Sequence, residues 1–230
     1  MPAAEMSLGI DNISAVAGRY VLGHQARRPG VNILACRLRA ISPTGFTAAA
    51  PVIGAVGEEV SASFAPFGTL HGHILRHVAD GFAVELDGGA DVADALADRI
   101  EAFRHRTWHG MADRRAAKRF MPAEPRSVLI LEHGTVLPCL IVDYSASSAA
   151  VSADIHPPVG ASVTVGQVPA RVVRQFDVGF AVHFELPPAE ELESMLETPP
   201  EWRDTLAVVP PQHIDTSEPD DTPAEGYGYD

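Results

Sequence analysis

The sequence predicts a mainly β protein built from two small antiparallel β-barrels, each followed by a helix, with a disordered acidic C-terminal tail. Three observations predict this class. The chain repeats itself once, at a spacing of about a hundred residues. Each copy consists of short β-like segments separated by turn residues. Beyond Arg203 the chain is rich in Pro and acidic residues and offers little apolar surface to bury.

The repeat consists of equivalent residues at nearly constant spacing. The spacing is 103 residues for Cys36/Cys139, Ser42/Ser145 and Gly57/Gly160, and 98 residues for Arg76/Arg174 and Gly81/Gly179. The change in spacing indicates five residues inserted in the first copy, near the FAPFGTL segment. A hairpin loop tolerates such an insertion, because lengthening a surface loop costs little closure entropy.

The β-like segments of the first copy lie between residues 31 and 86, and those of the second copy between residues 128 and 184. A helix is predicted after each copy, over residues 90–110 and 187–197. The predicted domains are therefore residues 1–110, a barrel with its linking helix, residues 111–203, a barrel with its C-terminal helix, and the tail, residues 204–230.

An apolar stripe runs along the first predicted helix. It consists of Val92, Leu96, Ile100 and Phe103, at helical spacing. We expect this stripe to pack between the two barrels.

Charge and composition exclude several classes of protein. The net charge is −13 and the pI is near 5.1, so the basic surface needed to bind DNA or RNA is missing. No signal peptide and no apolar run of about 20 residues occurs, so we expect a cytoplasmic protein without membrane insertion. Cys36 and Cys139 lie in apolar strand-like runs and are predicted to be buried free thiols.

A dense run of cations precedes the second copy, despite the acidic average. It contains Arg114, Arg115, Lys118 and Arg119. Because a guanidinium can bind phosphate oxygens in pairs and stack on a base, two arginines four residues apart suit a nucleotide that carries phosphates. The alternative is a solvated basic linker between the domains.

A polar turn ends an apolar strand of the second copy at Asp143-Tyr144-Ser145. A carboxylate accepts hydrogen bonds from the Watson–Crick edge of guanine, which presents two donors, and a hydroxyl beside it can donate or accept. The alternative is an ordinary strand-ending turn, in which Asp and Ser are common.

Together the two elements resemble the PilZ family, receptors for the bacterial second messenger cyclic di-GMP, whose pattern is RxxxR followed by [DN]xSxxG. Arg115 and Arg119 match the first part, with Arg114 as a leading arginine, and Asp143 and Ser145 match the start of the second. The resemblance covers residues 112–186.

The resemblance implies that Arg115 and Arg119 bind the phosphates and stack on guanine, while Asp143 and Ser145 read the base. Ser148 stands where the family has glycine. If the turn needs a left-handed backbone there, serine costs about 1 to 2 kcal/mol, enough to weaken binding about tenfold.

The first copy resembles a degenerate PilZ barrel. It keeps Ser42 and Gly45, but Ala40 replaces the acid. At the positions 103 residues before the two arginines stand Asn12 and Val16, and Arg27-Arg28 fall in a predicted hairpin. We expect this barrel to bind no ligand and to serve packing, homodimer formation or docking of a protein partner that the sequence does not identify.

Enzymatic and metal-dependent functions lack their motifs. There is no Gly-x-Ser-x-Gly elbow, no phosphate-binding Gly-rich loop and no dinucleotide fingerprint, so neither catalysis nor a cofactor is expected. Two histidine pairs are spaced so that both members lie on one face of a helix or strand: His105 with His109, and His71 with His73. We expect their side chains to face solvent and to form no metal site. The leading hypothesis is thus a cyclic di-GMP receptor that signals by a change between its barrels. The alternative is a PilZ-like adaptor that binds no nucleotide.

Overall fold

The computed structural model describes residues 10–11, 16–23, 33–107, 119–185 and 191–203. Arg114, Arg115, His109, the Arg27-Arg28 pair and the predicted tail, residues 204–230, lie outside the described residues.

Two closed antiparallel barrels form the fold, which confirms the predicted class. The strands of the first half are β1 (Ile10–Asp11), β2 (Ala17–Leu22), β3 (Leu34–Ser42), β4 (Gly45–Ala49), β5 (Glu59–Phe64), β6 (Gly68–Val78) and β7 (Gly81–Leu86), followed by helix α1 (Ala90–Thr107). Those of the second half are β8 (Arg126–Leu131), β9 (Val136–Ser145), β10 (Ser148–Ala153), β11 (Ser162–Val165), β12 (Val168–Phe176) and β13 (Gly179–Phe184), followed by α2 (Leu192–Leu196) and α3 (Pro200–Arg203).

The two barrels have the same strand order. The first closes as β3-β2-β5-β6-β7-β4, with β1 added beside β3, and the second as β9-β8-β11-β12-β13-β10. Strands β5, β6 and β12 alternate between buried and outward-facing residues, as a barrel wall requires, whereas β3 and β10 are buried over consecutive residues. Every strand pair in the described residues is antiparallel, so short hairpins connect most of the chain.

The five-residue insertion lies in the β5–β6 hairpin. Strand β5 has six residues where β11 has four, and β6 has eleven where β12 has nine. Three residues separate β5 from β6, against two between β11 and β12. The longer hairpin places Phe67 in the core, where its ring lies 5.1 Å from that of Phe103 on helix α1. Arg99 of the same helix donates to the Phe67 carbonyl at 2.8 Å.

The stripe on α1 packs differently from the prediction. Leu96 and Ile100 are buried in the core of the first barrel alone, and Phe103 packs against that core. The expected position between the barrels was wrong, because the extended β5–β6 hairpin provides a closer apolar surface. Val92 also departs from the prediction and is half exposed.

A short helix closes the second barrel. Leu192 and Leu196 of α2 join its core, and the Ser127 hydroxyl donates to the Leu196 carbonyl. Of the helix predicted over 187–197, residues 187–190 lie outside the described residues, and the described part is helical from Leu192 to Leu196. Glu197 is extended, and Pro199 follows two residues later.

The two barrels meet through the outer faces of equivalent strands. Ala35 and Ala49 of the first barrel form a buried cluster with Leu140 of the second, and Val142 and Val178 pack against it. At the edge of this cluster the Ala35 amide donates to the buried Ser152 hydroxyl at 2.9 Å. The interface thus combines apolar contact with satisfied polar groups.

Both cysteines are free and buried, as predicted. Burial raises the pKa of the Cys139 thiol to about 12 and also raises that of Cys36. Both side chains therefore serve as small apolar core residues. Within the described residues, no helix is long and apolar enough to cross a membrane.

Candidate nucleotide-binding site

The backbone brings Arg119 and Asp143 together on the outside of the second barrel. Phe120 forms an antiparallel bridge with Tyr144, in which the Phe120 amide donates to the Tyr144 carbonyl at 2.8 Å and the reverse bond measures 2.9 Å. Arg119 and Asp143 are diagonal neighbours across this antiparallel bridge, so their side chains lie on the same face and the long arginine reaches the carboxylate. Arg119 Nη1 donates to Asp143 Oδ1 in an ion pair whose two side chains are 28% and 23% exposed. Solvent and a ligand can therefore reach both.

Ser145 shapes the turn that follows β9. Its Oγ lies 2.9 Å from the Ser148 Oγ and donates to the Ser148 carbonyl at 3.4 Å. Ser42 makes the equivalent bond in the first barrel, to the Gly45 carbonyl at 3.2 Å. Since the two barrels share this contact, Ser145 has a structural role in addition to the ligand role implied by the family pattern.

Ser148 lies in strand β10. The left-handed backbone considered for this position is not found at the equivalent glycine of the first barrel. The equivalent Gly45 does not have a positive φ angle. Instead, a Cβ atom added at Gly45 would come within 2.5 Å of the Val84 carbonyl oxygen. Glycine at this turn of the first barrel therefore allows close approach of the neighbouring strand.

Strand register defines an outer face that the sequence motifs did not reveal. Directly paired residues of antiparallel strands point to the same side of a sheet. Two rows of paired residues cross β9, β10, β13 and β12: Asp143, Ala150, Ala181, Arg174 and, beside it, Ser145, Ser148, His183, Arg171. The motif residues are therefore one side of a larger surface.

The first row consists of two small residues between an acidic and a basic side chain. Ala150 and Ala181 are small and separate Asp143 from Arg174 by three strand spacings, or about 14 Å along the sheet. Arg174 is exposed, and its guanidinium lies 5.8 Å from the ring centroid of Phe176. In the sequence, the match with Arg76 in the repeat was the only signal for Arg174. That match did not indicate to which side of the sheet the Arg174 side chain points.

The C-terminal helix fixes the chain beside the site. Glu193 of α2 accepts a hydrogen bond from the Tyr144 hydroxyl at 3.0 Å and another from the Ala123 amide at 2.9 Å. Burial raises the pKa of Tyr144, and the hydrogen bond to Glu193 raises it further. The phenol therefore stays protonated and donates to the carboxylate at neutral pH.

The first barrel lacks the equivalent charges. Ile10 of β1 pairs with Ile41, as Phe120 pairs with Tyr144. In the sequence, Gly9 precedes Ile10 where Arg119 precedes Phe120. The counterparts Asn12 and Val16 were thus assigned in the wrong register, because eleven residues separate β2 from β3 and only four separate β8 from β9.

Three of the histidines considered as metal ligands, His71, His73 and His105, lie in the described residues and have other partners. His71 Nδ1 lies 2.9 Å from the Ser61 hydroxyl, and His73 Nδ1 lies 2.9 Å from Asp87 Oδ1. His105 pairs with Glu101, one helical turn away, at 3.1 Å. In the part of the chain that the structure describes, no group of three or more His, Cys, Asp or Glu side chains converges as a metal site.

Comparison with known proteins gives likenesses of structure only. No protein-family model and no curated protein matches the sequence. Similar solved structures include the Borreliella burgdorferi PlzA protein in complex with c-di-GMP, 11% identical over 84% of this chain and 88% of that one, with a TM-score of 0.27. The Bacillus subtilis inhibitor of motility MotI/DgrA is 14% identical over 83% and 94%, TM-score 0.27, and Escherichia coli YcgR in complex with c-di-GMP is 12% identical over 80% and 82%, TM-score 0.24.

Proposed function

We propose that this protein is a cytoplasmic, non-enzymatic receptor of the PilZ type that binds cyclic di-GMP on the outer face of its second barrel. The observation that carries the proposal is the meeting of Arg119 with Asp143, because the two halves of the RxxxR and DxS pattern lie 24 residues apart in the chain. A basic linker and an unrelated strand-ending turn would have no reason to share an ion pair.

In the proposed complex, Arg119 exchanges Asp143 for a phosphate or a guanine face. The freed carboxylate then accepts hydrogen bonds from the guanine edge. Arg115, with Arg114 before it, adds a second phosphate contact from the segment that precedes Arg119. Ala150 and Ala181 leave room for the ligand, and Arg174 bounds it on the far side.

Signalling follows from the position of the arginine segment between the two halves. A ligand that binds the Arg115 to Arg119 segment and the second barrel together changes the path of the chain that leads from α1, and so reorients one barrel against the other. A protein partner would read this change.

Titration calorimetry of the full chain with cyclic di-GMP tests the proposal. We expect one binding isotherm in the micromolar range or tighter, weakened at least about a hundredfold by Arg119→Ala or Asp143→Ala, since each removes charge-assisted hydrogen bonds. Arg104→Ala, on helix α1, is the matched control and leaves the affinity unchanged. Absence of heat with the wild-type protein would favour the adaptor that binds no nucleotide, and wild-type affinity in both variants would contradict the proposed site.

A further inference from the structure

One arginine of the first barrel is buried against the second. Arg37 lies on β3 and is 1% exposed, the least accessible charged side chain in the described residues. Its Nη1 donates to the Pro122 carbonyl at 2.6 Å, and its Nη2 donates to the carbonyls of Val142 at 2.6 Å and Ile141 at 3.2 Å. All three acceptors belong to the second half of the chain.

The three acceptors flank both halves of the nucleotide site. Pro122 lies three residues after Arg119, in the segment that bridges to Tyr144, and Val142 immediately precedes Asp143. One guanidinium therefore holds the two backbone segments whose side chains form the ion pair. If these segments separated, the Phe120–Tyr144 bridge and the ion pair would both be strained.

The guanidinium remains charged in this environment. Burial lowers the pKa of Arg37 to about 10, the neighbouring Arg39 lowers it as well, and Asp143 and Glu124 oppose the shift. Carbonyl groups are its direct partners, and its Nε has no hydrogen-bond partner among the described residues. A buried charge held by backbone carbonyls keeps those carbonyls in place, because moving any of them leaves the charge less satisfied.

We propose that Arg37 is a positioning residue for the nucleotide site, through which the first barrel, without ligand residues of its own, holds the Arg119 and Asp143 segments of the second. This rests on the proposed function, in that the site it positions is the cyclic di-GMP site. It also identifies a contact through which ligand binding reorients the barrels, since a ligand that moves either segment must move the carbonyls that Arg37 binds.

Arg39 offers a matched control. It lies two residues further along β3 and binds Asp80 of its own barrel at 2.8 Å through Nε. Its contacts with the second half are longer, 3.4 Å to the Ala123 carbonyl and 3.7 Å to Glu124. An Arg39→Met variant therefore loses an arginine from the same interface without releasing the carbonyls next to the site.

The first measurement needs no ligand. Hydrogen exchange followed by NMR on the full chain reports the amides of Phe120 and Tyr144, which form the bridge. We expect both to exchange about tenfold faster in Arg37→Met than in the wild type, with Arg39→Met unchanged, because the lost bonds release the two segments. Amides of the distant β11–β12 pair should keep their rates. Unchanged bridge amides, or equal acceleration throughout the second barrel, would overturn the positioning role.

The second measurement is the affinity for cyclic di-GMP. We expect Arg37→Met to weaken binding about tenfold, Arg37→Lys to recover most of the loss because it restores charge and donors, and Arg39→Met to stay within about threefold of the wild type. If Arg37→Met does not fold, the smaller loss of affinity expected for Arg37→Lys tests the proposal instead. Equal affinity of the wild type and Arg37→Met overturns this proposal and leaves the receptor function standing. Absence of binding by the wild type overturns the function, and the exchange rates then decide the role of Arg37 alone.

Discussion

The two barrels share a frame but present different outer faces. In the first barrel, Ala40 stands in place of Asp143 and Glu85 in place of His183, on the same strands and in the same register. Ser42 and Arg76 are retained there and, with Ala40 and Glu85, line a cavity of about 350 Å³. Space is thus available on the face of the first barrel, and what distinguishes this face from that of the second barrel is charge. A carboxylate at position 85 repels the phosphates of a nucleotide, and alanine at position 40 has no group to read a base.

This comparison yields its largest expected effect at His183. Changing His183→Glu reproduces the first barrel at one position and places a carboxylate on the ligand face. We expect cyclic di-GMP affinity to fall about tenfold in calorimetry, equal to roughly 1.4 kcal/mol of like-charge repulsion. His183→Gln, which is neutral, should stay within about threefold. Wild-type affinity in the glutamate variant would mean that the ligand does not cross the second row of residues.

A smaller effect is expected from Arg174, the far boundary of the proposed site. Arg174→Ala should weaken binding about fivefold, since an exposed arginine contributes one solvent-screened contact. Its counterpart Arg76→Ala, on the first barrel, provides the control and should leave the isotherm unchanged. If both variants weakened binding equally, the ligand would not be confined to the second barrel.

The smallest effect concerns Ser148, the departure from the family pattern. Ser148→Gly copies Gly45, at which the neighbouring strand of the first barrel approaches closely. We expect affinity to rise about two- to threefold, a few tenths of a kcal/mol. The gain stays small because the hydrogen bond between the Ser148 and Ser145 hydroxyls is lost at the same time. Ser147→Ala, in the same turn, should not change it. A loss of affinity in Ser148→Gly would show that the Ser148 hydroxyl itself contributes to binding.

The sequence predicted the architecture because the repeat carried more information than either copy alone. The constant spacing identified equivalent strands, and its change from 103 to 98 located the hairpin insertion. The same comparison singled out Asp143, whose counterpart is Ala40. Strand β2 was missed, because the long segment between it and β3 hides its match with β8.

Properties that depend on contacts between elements were beyond the sequence. Arg37 stands in a strand pattern where a charged residue normally faces water, and only the packing of the second barrel against it produces its burial. The alignment of Arg174 with Asp143 depends on the register of three strand pairs and on a bulge in β12, neither of which local composition specifies.

The interface between the barrels has the form of a homodimer joined into one chain. Strand β3 faces its counterpart β9 and also β10, and Ala35 and Arg37 on β3 contact residues of these two strands. Leu140 occupies in the second copy the position that Arg37 occupies in the first, and it lies in the same buried cluster as Ala35. Because the two copies belong to one chain, one of them carries arginine and the other leucine at this position. The contact surface is therefore asymmetric: the first barrel supplies a guanidinium, and the second half of the chain supplies the backbone carbonyls that bind it.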